Sequence, residues 1–156
     1  SFGSSVGFVQ VFKDVAAANP TIKLFGPDGV AESAFSTKLG SDVEKRTWIT
    51  NPTLDPKLYP ASAQQFFQKF KAKYGKDPEP YAIYGYEAMS VVLDAIRAGG
   101  GDRAAVVRAF FATRDRDSVL GRYSIDANGD TTLSTYGVLR ISRKRLVYDR
   151  TIDSSR

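Results

Sequence analysis

The residues with the clearest chemical potential lie where a short apolar run meets a turn: Ile22-Lys23-Leu24-Phe25, then Gly26-Pro27-Asp28-Gly29. Ile22, Leu24 and Phe25 read as a strand, and Ala31, Ala34, Phe35 and Leu39 as a helix that starts directly after the turn and runs to about Leu39. This order puts one carboxylate, Asp28, at the strand's carboxyl end, the edge of an open α/β sheet at which ligands bind. A lone acid there suits pairing with an ammonium group better than it suits catalysis. The same residue also fits a plain turn aspartate that caps the following helix. The second group is aromatic. Tyr81, Tyr84 and Tyr86 sit where a proline-bounded loop (Pro78, Pro80) enters a helix. Tyr81 and Tyr84 fall at or near the helix start, where a ring can close over a ligand while its hydroxyl finds a polar group. Packing, or contact between lobes, is the alternative for both. Tyr86 continues the apolar stripe and reads as core.

The composition removes whole classes of chemistry. The 156 residues contain no histidine and no cysteine. Ser-His-Asp, Cys-His and His-bound metal mechanisms therefore cannot be built from this chain, nor can disulfides or a thiolate zinc site. No motif for carboxylate-pair or Ser-Lys chemistry is present, so the chain is not expected to be an enzyme or to carry a cofactor or metal. The Asp126-Ala127-Asn128-Gly129-Asp130 stretch has the odd-position oxygens of a calcium loop. It departs from one where it counts, with glycine at position 4 and Gly137 at position 12, and reads as a hairpin turn. Length fits about one domain, and 42% hydrophobic with 25% charged residues is ordinary for a globular protein. No apolar run approaches the roughly 18 residues that would span a bilayer. No basic-then-apolar leader opens the sequence, so either the protein is cytosolic or a leader has been removed. Net charge is +5, and residues 140–156 supply most of it: Arg140, Arg143, Lys144, Arg145, Arg150 and Arg156 against Asp149 and Asp153. Ser142-Arg143-Lys144-Arg145 stands between two alternating apolar runs, as a solvated hairpin tip does. No nucleic-acid partner is expected, because the charge is local and no recognition module accompanies it.

The elements that position these groups follow from periodicity and punctuation. Val6–Ala18 carries Phe8, Val11, Val15 and Val9, Phe12, Ala16 at helical spacing and stops at Asn19-Pro20. Thr47–Thr50, with Trp48 and Ile49, is a second strand, so the first fifty residues read as an α-β-α-β piece of a parallel sheet. Pro52, Pro56 and Pro60 then mark an extended connector, a passage between lobes. Ala61–Tyr74 reads as a helix with Phe66, Phe67, Phe70 and Tyr74 on one side, ended by Gly75. Ala82, Tyr86, Met89, Leu93 and Ile96 mark a second helix closed by three glycines from Gly99. Asp102 caps a third, Arg103–Ala112, with Val106, Val107, Phe110 and Phe111 inward. Val119–Asp126 and Thr132–Ile141 read as strands around the DANGD turn, and Leu146–Ile152 as a strand beyond the basic turn.

In this order, IKLFGPDGV, ASAQQFFQKFKAKYGKDPEPYAIYGYEAMSVVLDAIRAGG and LGRYSIDANGD make the chain resemble the substrate-binding proteins of branched-chain amino acid ABC transporters, the type I periplasmic binding proteins, from Gly7 to about Ile152. The resemblance implies an α/β fold of Rossmann-like, flavodoxin-like lobes, present here as a partial chain. It implies that 1–51 ends the second lobe, that 52–117 supplies returning helices of the first, and that 118–156 forms hinge-side and C-terminal strands. The opening lobe has no counterpart in these residues. By the same resemblance Asp28 accepts the ligand's α-ammonium, and Tyr81 or Tyr84 contacts its side chain. The turn carries Asp where leucine, isoleucine and valine binders carry the longer Glu, which leaves the ligand as an amino acid or a similar small polar metabolite. The implied partners are that ligand, a membrane ABC permease that reads the closed form, and either another copy or the missing N-terminal part. The implied location is periplasmic or extracellular, with a lipid anchor on the absent N-terminus as one form. A ligand-sensing regulatory domain of the same fold is the alternative, and flanking segments separate the two. A flavodoxin-like hydrolase is a third reading, which the missing histidine disfavours.

Overall fold

The computed structural model describes residues 5–154; Arg156, counted above in the basic segment, lies outside them. The chain forms two compact units, Ser1–Leu54 with Thr135–Arg156 and Asp55–Ser134.

Unit 1 is built on helix α1 (Ser5–Ala18), strand β1 (Leu24–Gly26), two single-turn helices α2 (Ser33–Ser36) and α3 (Ser41–Glu44), strand β2 (Thr47–Asn51) and the hairpin β5 (Thr135–Ser142) and β6 (Arg145–Asp153). The sheet order is β1-β2-β5-β6. β1 and β2 run parallel, as the sequence indicates, and β5 and β6 continue antiparallel. Of the two stripes on α1, the one through Val9, Phe12 and Ala16 is buried, against Leu24, Val30, Phe35, Leu39, Ile49 and Ile141. Phe12 meets Phe35 edge to face at 5.2 Å. On the sheet's other face Phe25, Trp48, Arg140 and Val147 stand opposite one another across all four strands. There Phe25 stacks on Trp48 at 5.7 Å, and the Arg140 guanidinium lies 5.8 Å from the indole ring.

The helix expected through Leu39 breaks instead into α2 and α3. Ser36 and Thr37 turn their hydroxyls back to the Ser33 carbonyl, a competition that shortens helices, and Gly40 is extended before α3. The basic turn is a two-residue hairpin tip as expected, with Arg143 and Lys144 both at positive φ (50° and 63°), the type I′ geometry that suits strand twist.

Unit 2 holds α4 (Ala61–Tyr74), α5 (Ala82–Gly99), α6 (Arg103–Phe111) and a ribbon of β3 (Arg116–Ser118) and β4 (Gly121–Tyr123). Gly75 and Gly100 end α4 and α5 in the left-handed conformation, and Asp102 Oδ1 accepts from Ala105 N at 2.7 Å to start α6. Gly99 lets α6 fold back tightly, since a Cβ there would stand 2.6 Å from Val106 N. Three expectations need correction. On α6, Val106 and Phe110 are half-buried, but Val107 and Phe111, expected inward with them, are exposed. The buried face of α5 is Ile83, Glu87, Val91 and Ala95, whereas Tyr86 and Met89 are 50% and 58% exposed and Leu93 and Ile96 are exposed beside them. Both faces are apolar enough to pack, and periodicity alone does not say which one this unit covers. The strands around DANGD are also not a full hairpin. Only Ile125 and Thr131 pair across the turn, because β4 is taken by β3 and β5 by β2 and β6. The turn itself is held by Asp126 Oδ1, which accepts from Asn128 N and Asp130 N.

Candidate functional site

Asp28 sits where the sequence puts it, two residues beyond β1. Gly26 makes the turn: a Cβ there would lie 2.7 Å from the Val30 side chain, so only glycine lets the chain fold back onto Ile49 and Phe12. Pro27 follows in an extended conformation, and Asp28–Val30 forms one 3₁₀ turn with Ala31 N donating to Asp28 O at 2.9 Å. Helix α2 starts from Glu32, whose own side chain makes no capping bond. Asp28 is exposed at the carboxyl edge of the parallel pair. Asn51 ends β2 at that same edge, since Gly26 pairs with Ile49.

Tyr81 and Tyr84 lie in unit 2 at the start of α5. Tyr81 occupies the N-cap position, and Tyr84 N donates to its carbonyl at 3.1 Å. Their rings are brought together at 6.3 Å and 52°, and Tyr81 remains 45% exposed. Tyr86 points elsewhere, onto Phe66 of α4 at 4.9 Å.

A polar network in unit 2 has no local signature in the sequence. Glu87, 4% exposed, accepts from Arg116 Nε at 2.7 Å and from Tyr123 OH at 3.0 Å. Arg116 Nη1 donates to Asp94 at 2.8 Å, and Asp94 also pairs with Arg97. The hydrogen bond from Arg116, then its charge and that of Arg97, hold the Asp94 carboxyl below the usual carboxylate value against its partial desolvation. Burial works against the Arg116 charge, but its bonds to Glu87 and Asp94 outweigh it and raise the guanidinium above its ordinary value. Burial first, then the hydrogen bond to Glu87, pushes the Tyr123 phenol up to about 12. Only the i,i+3 and i,i+7 spacing of Asp94 to Arg97 and of Glu87 to Asp94 was local; Arg116 and Tyr123 arrive from the ribbon.

A recess of unit 1, about 730 Å³, lies between α1 and α3 and is lined by Lys13, Ala16, Pro20, Asp42 and Arg46. Pro20 and Arg46 precede β1 and β2, so it opens at the strands' amino ends, the wrong edge for a ligand of an α/β sheet. Arg46 is already spent there on the carbonyls of Asn19 and Ile22. Among the described residues no group of acidic side chains is disposed to hold a metal ion.

The sequence profile of the family described as periplasmic binding protein matches residues 2–145, and the chain belongs to that family. Its fold is that of the type I members. Over 97% of its length it superposes on a leucine binding protein, LivK, of Thermotoga maritima, with a TM-score of 0.80 and 27% identity. It is 28% identical over 127 residues to a Leu/Ile/Val-binding protein homolog of Brucella abortus, and 25% identical over 118 residues to an amino acid binding protein of Pseudomonas aeruginosa. These matches cover 81% and 76% of this chain but only 33% and 31% of the relatives, and 43% of the Thermotoga chain. The chain thus spans about a third of the length of the curated relatives it matches. The family and fold are those of solute-binding proteins.

Proposed function

We propose that this chain is the later portion of a periplasmic or extracellular solute-binding protein that captures an amino acid, or a similar small polar metabolite, by closure of two lobes and delivers it to an ABC importer. The observation that carries this is Asp28, an exposed carboxylate at the carboxyl edge of a parallel strand pair in a chain of this family. In this reading 1–51 ends the second lobe, 52–117 returns to the first, and 118–156 is hinge-side. Asp28 takes the ligand ammonium, and the paired rings of Tyr81 and Tyr84 contact its side chain. The names of the relatives point to aliphatic amino acids, whereas Asp28 in place of the longer Glu points to other amino acids or small polar metabolites, so the titration decides between them. Ligand stabilises the closed state by binding it better than the open one, and a permease reads that state.

The test is calorimetric titration of the two-lobed polypeptide with L-leucine, L-isoleucine and a deaminated leucine analogue. Asp28→Asn should weaken the amino acids by about 2–4 kcal/mol, because an ammonium is then buried without its counter-charge. An unchanged dissociation constant, or equal weakening of the deaminated analogue, refutes the assignment.

A further inference from the structure

The chain crosses between its units twice, after Leu54 and before Thr135, and unit 1 holds both crossings at one place. Asn51, the last residue of β2, is the register partner of Gly137 on β5. Its Oδ1 accepts from Thr53 N at 2.7 Å and from Thr53 Oγ1 at 2.6 Å, folding residues 51–53 into a closed clip. Asn51 is 1% and Thr53 6% exposed, so the clip is dry. The Thr53 carbonyl then presses on β5 so closely that a Cβ at Gly137 would stand 2.3 Å from its oxygen, with the Tyr148 ring at 3.4 Å. Residues Thr135–Gly137 are themselves paired with Asp153, Ile152 and Thr151 of β6, which holds the second crossing to the same sheet, and β6 bulges at Asp149, opposite Val138 and Leu139, just beyond.

The clip has a cost that shows its purpose. Asn51 Nδ2 is the one buried side-chain polar atom without a partner among the described residues. A donor left dry is destabilising, so the carboxamide is oriented by what its oxygen does for Thr53 and not by its own satisfaction. Aspartate would accept the same two bonds but would bury a charge. We infer that Asn51, Thr53 and Gly137 are positioning residues: a clamp that pins the chain's exit from unit 1 onto β5, so that the swing used in closure pivots beyond Thr53 and not within β2. The clamp rests on the reading of capture by closure, but its test needs no ligand.

Because the chain has no cysteine, Lys38→Cys in unit 1 and Lys69→Cys in unit 2, both at exposed positions, accept spin labels selectively. Pulsed dipolar spectroscopy on the labelled chain, diluted into unlabelled chain, then reads the spread of distances between the units. Gly137→Ala must displace the Thr53 carbonyl, and Thr53→Val removes the hydroxyl donor at nearly constant shape. Each should widen the distribution about twofold while amide exchange at Ile49 and Ile83 stays within about threefold of the parent, since a freed pivot leaves both units folded. An unchanged width in either folded variant overturns the clamp. So does widening accompanied by faster exchange throughout unit 1, which would make these residues ordinary stabilisers. If Gly137→Ala does not fold, Thr53→Val alone decides. Failure of the capture reading would appear instead as amino acid binding that is indifferent to Asp28→Asn, with these distances unmoved.

Discussion

Glu87 and Tyr123 show how much one enclosed carboxylate organises. Glu87 anchors Arg116 and the Tyr123 hydroxyl to α5, and so holds the β3–β4 ribbon to the helix. Glu87→Gln keeps a hydrogen-bond acceptor but leaves Arg116 only Asp94 as a counter-charge. It should cost about 2–3 kcal/mol in urea unfolding, at or below the low end for breaking a buried pair because Asp94 is half exposed. Tyr123 makes a pH prediction whose sign is fixed by its raised pKa. The folded state keeps the phenol proton up to about 12, while the unfolded chain releases it near the ordinary 10.0. The folded state therefore binds the extra proton between those values, and its stability is complete below pH 10 and declines as pH rises toward 12. Unfolding free energies from urea titration across that window should fall by about 2–3 kcal/mol more than in Tyr123→Phe, which has no proton to lose. Parallel curves for the two proteins would show that Tyr123 titrates normally. The tyrosines of α5 divide the same way. Tyr86→Ala should cost only about 1 kcal/mol, the worth of its ring contact with Phe66 at a half-exposed site. Tyr81→Ala or Tyr84→Ala should instead change which amino acid competes best in titration of the two-lobed polypeptide.

At the scale of elements, the β5–β6 tip carries a built-in strain. Arg143 and Lys144 both hold positive φ, a conformation that costs a residue with a Cβ about 1–2 kcal/mol. The Lys144 side chain is exposed, while its backbone is engaged: its carbonyl accepts from Ser36 Oγ at 3.0 Å and its N–H points at Glu44. Lys144→Gly keeps both backbone contacts and removes the strain, so thermal unfolding should show a gain of about 0.5–1 kcal/mol after the added freedom of the unfolded chain is deducted. A loss would mean that the lysine side chain does something at the tip that its exposure hides. Such tips were legible in the sequence because alternation, a polar pair and a second alternation are local. So were α1, α4 and α6, whose caps and glycines lie within the segment itself. β4 lies within the strand read over Val119–Asp126, but its partner β3 was not legible: Arg116-Asp117-Ser118 has no apolar alternation, and pairs with β4 while Glu87 holds Arg116. The break in the helix after Asp28 is hidden for a related reason, since apolar spacing marks Phe35 and Leu39 as buried but is silent about Ser36 and Thr37 bonding back to Ser33. For the candidate site, the Asp28 turn was readable from Gly-Pro-Asp-Gly, and the Asn51–Thr53–Gly137 contact was not, because it joins residues more than eighty positions apart.

At the scale of the whole molecule, the surfaces left open are those that a longer chain would close. Parallel strand pairs are normally covered on both faces, yet Phe25 of β1 is 65% exposed on the face away from α1. β1 also ends the sheet, with its outer edge unpaired among the described residues. On α5, Tyr86, Met89, Leu93 and Ile96 repeat at i, i+3, i+7 and i+10, a full apolar stripe facing away from the core that Val91 supplies. These surfaces lie in a chain that covers 43% of the Thermotoga leucine binding protein on which it superposes. The complement we expect is the remainder of the two-lobed polypeptide, which would add strands beside β1 and a sheet beneath α5. Deprived of it, the 156-residue chain should hide the same surfaces against a second copy. Light scattering from about 1 to 100 μM should therefore show mass rising with concentration, and the separately produced first portion should convert those assemblies to a one-to-one complex. Leucine should bind the complex and not the isolated chain, because closure needs both lobes. A chain that stays monomeric over that range and binds leucine at micromolar concentration would place a complete site within these residues and overturn the two-lobed reading.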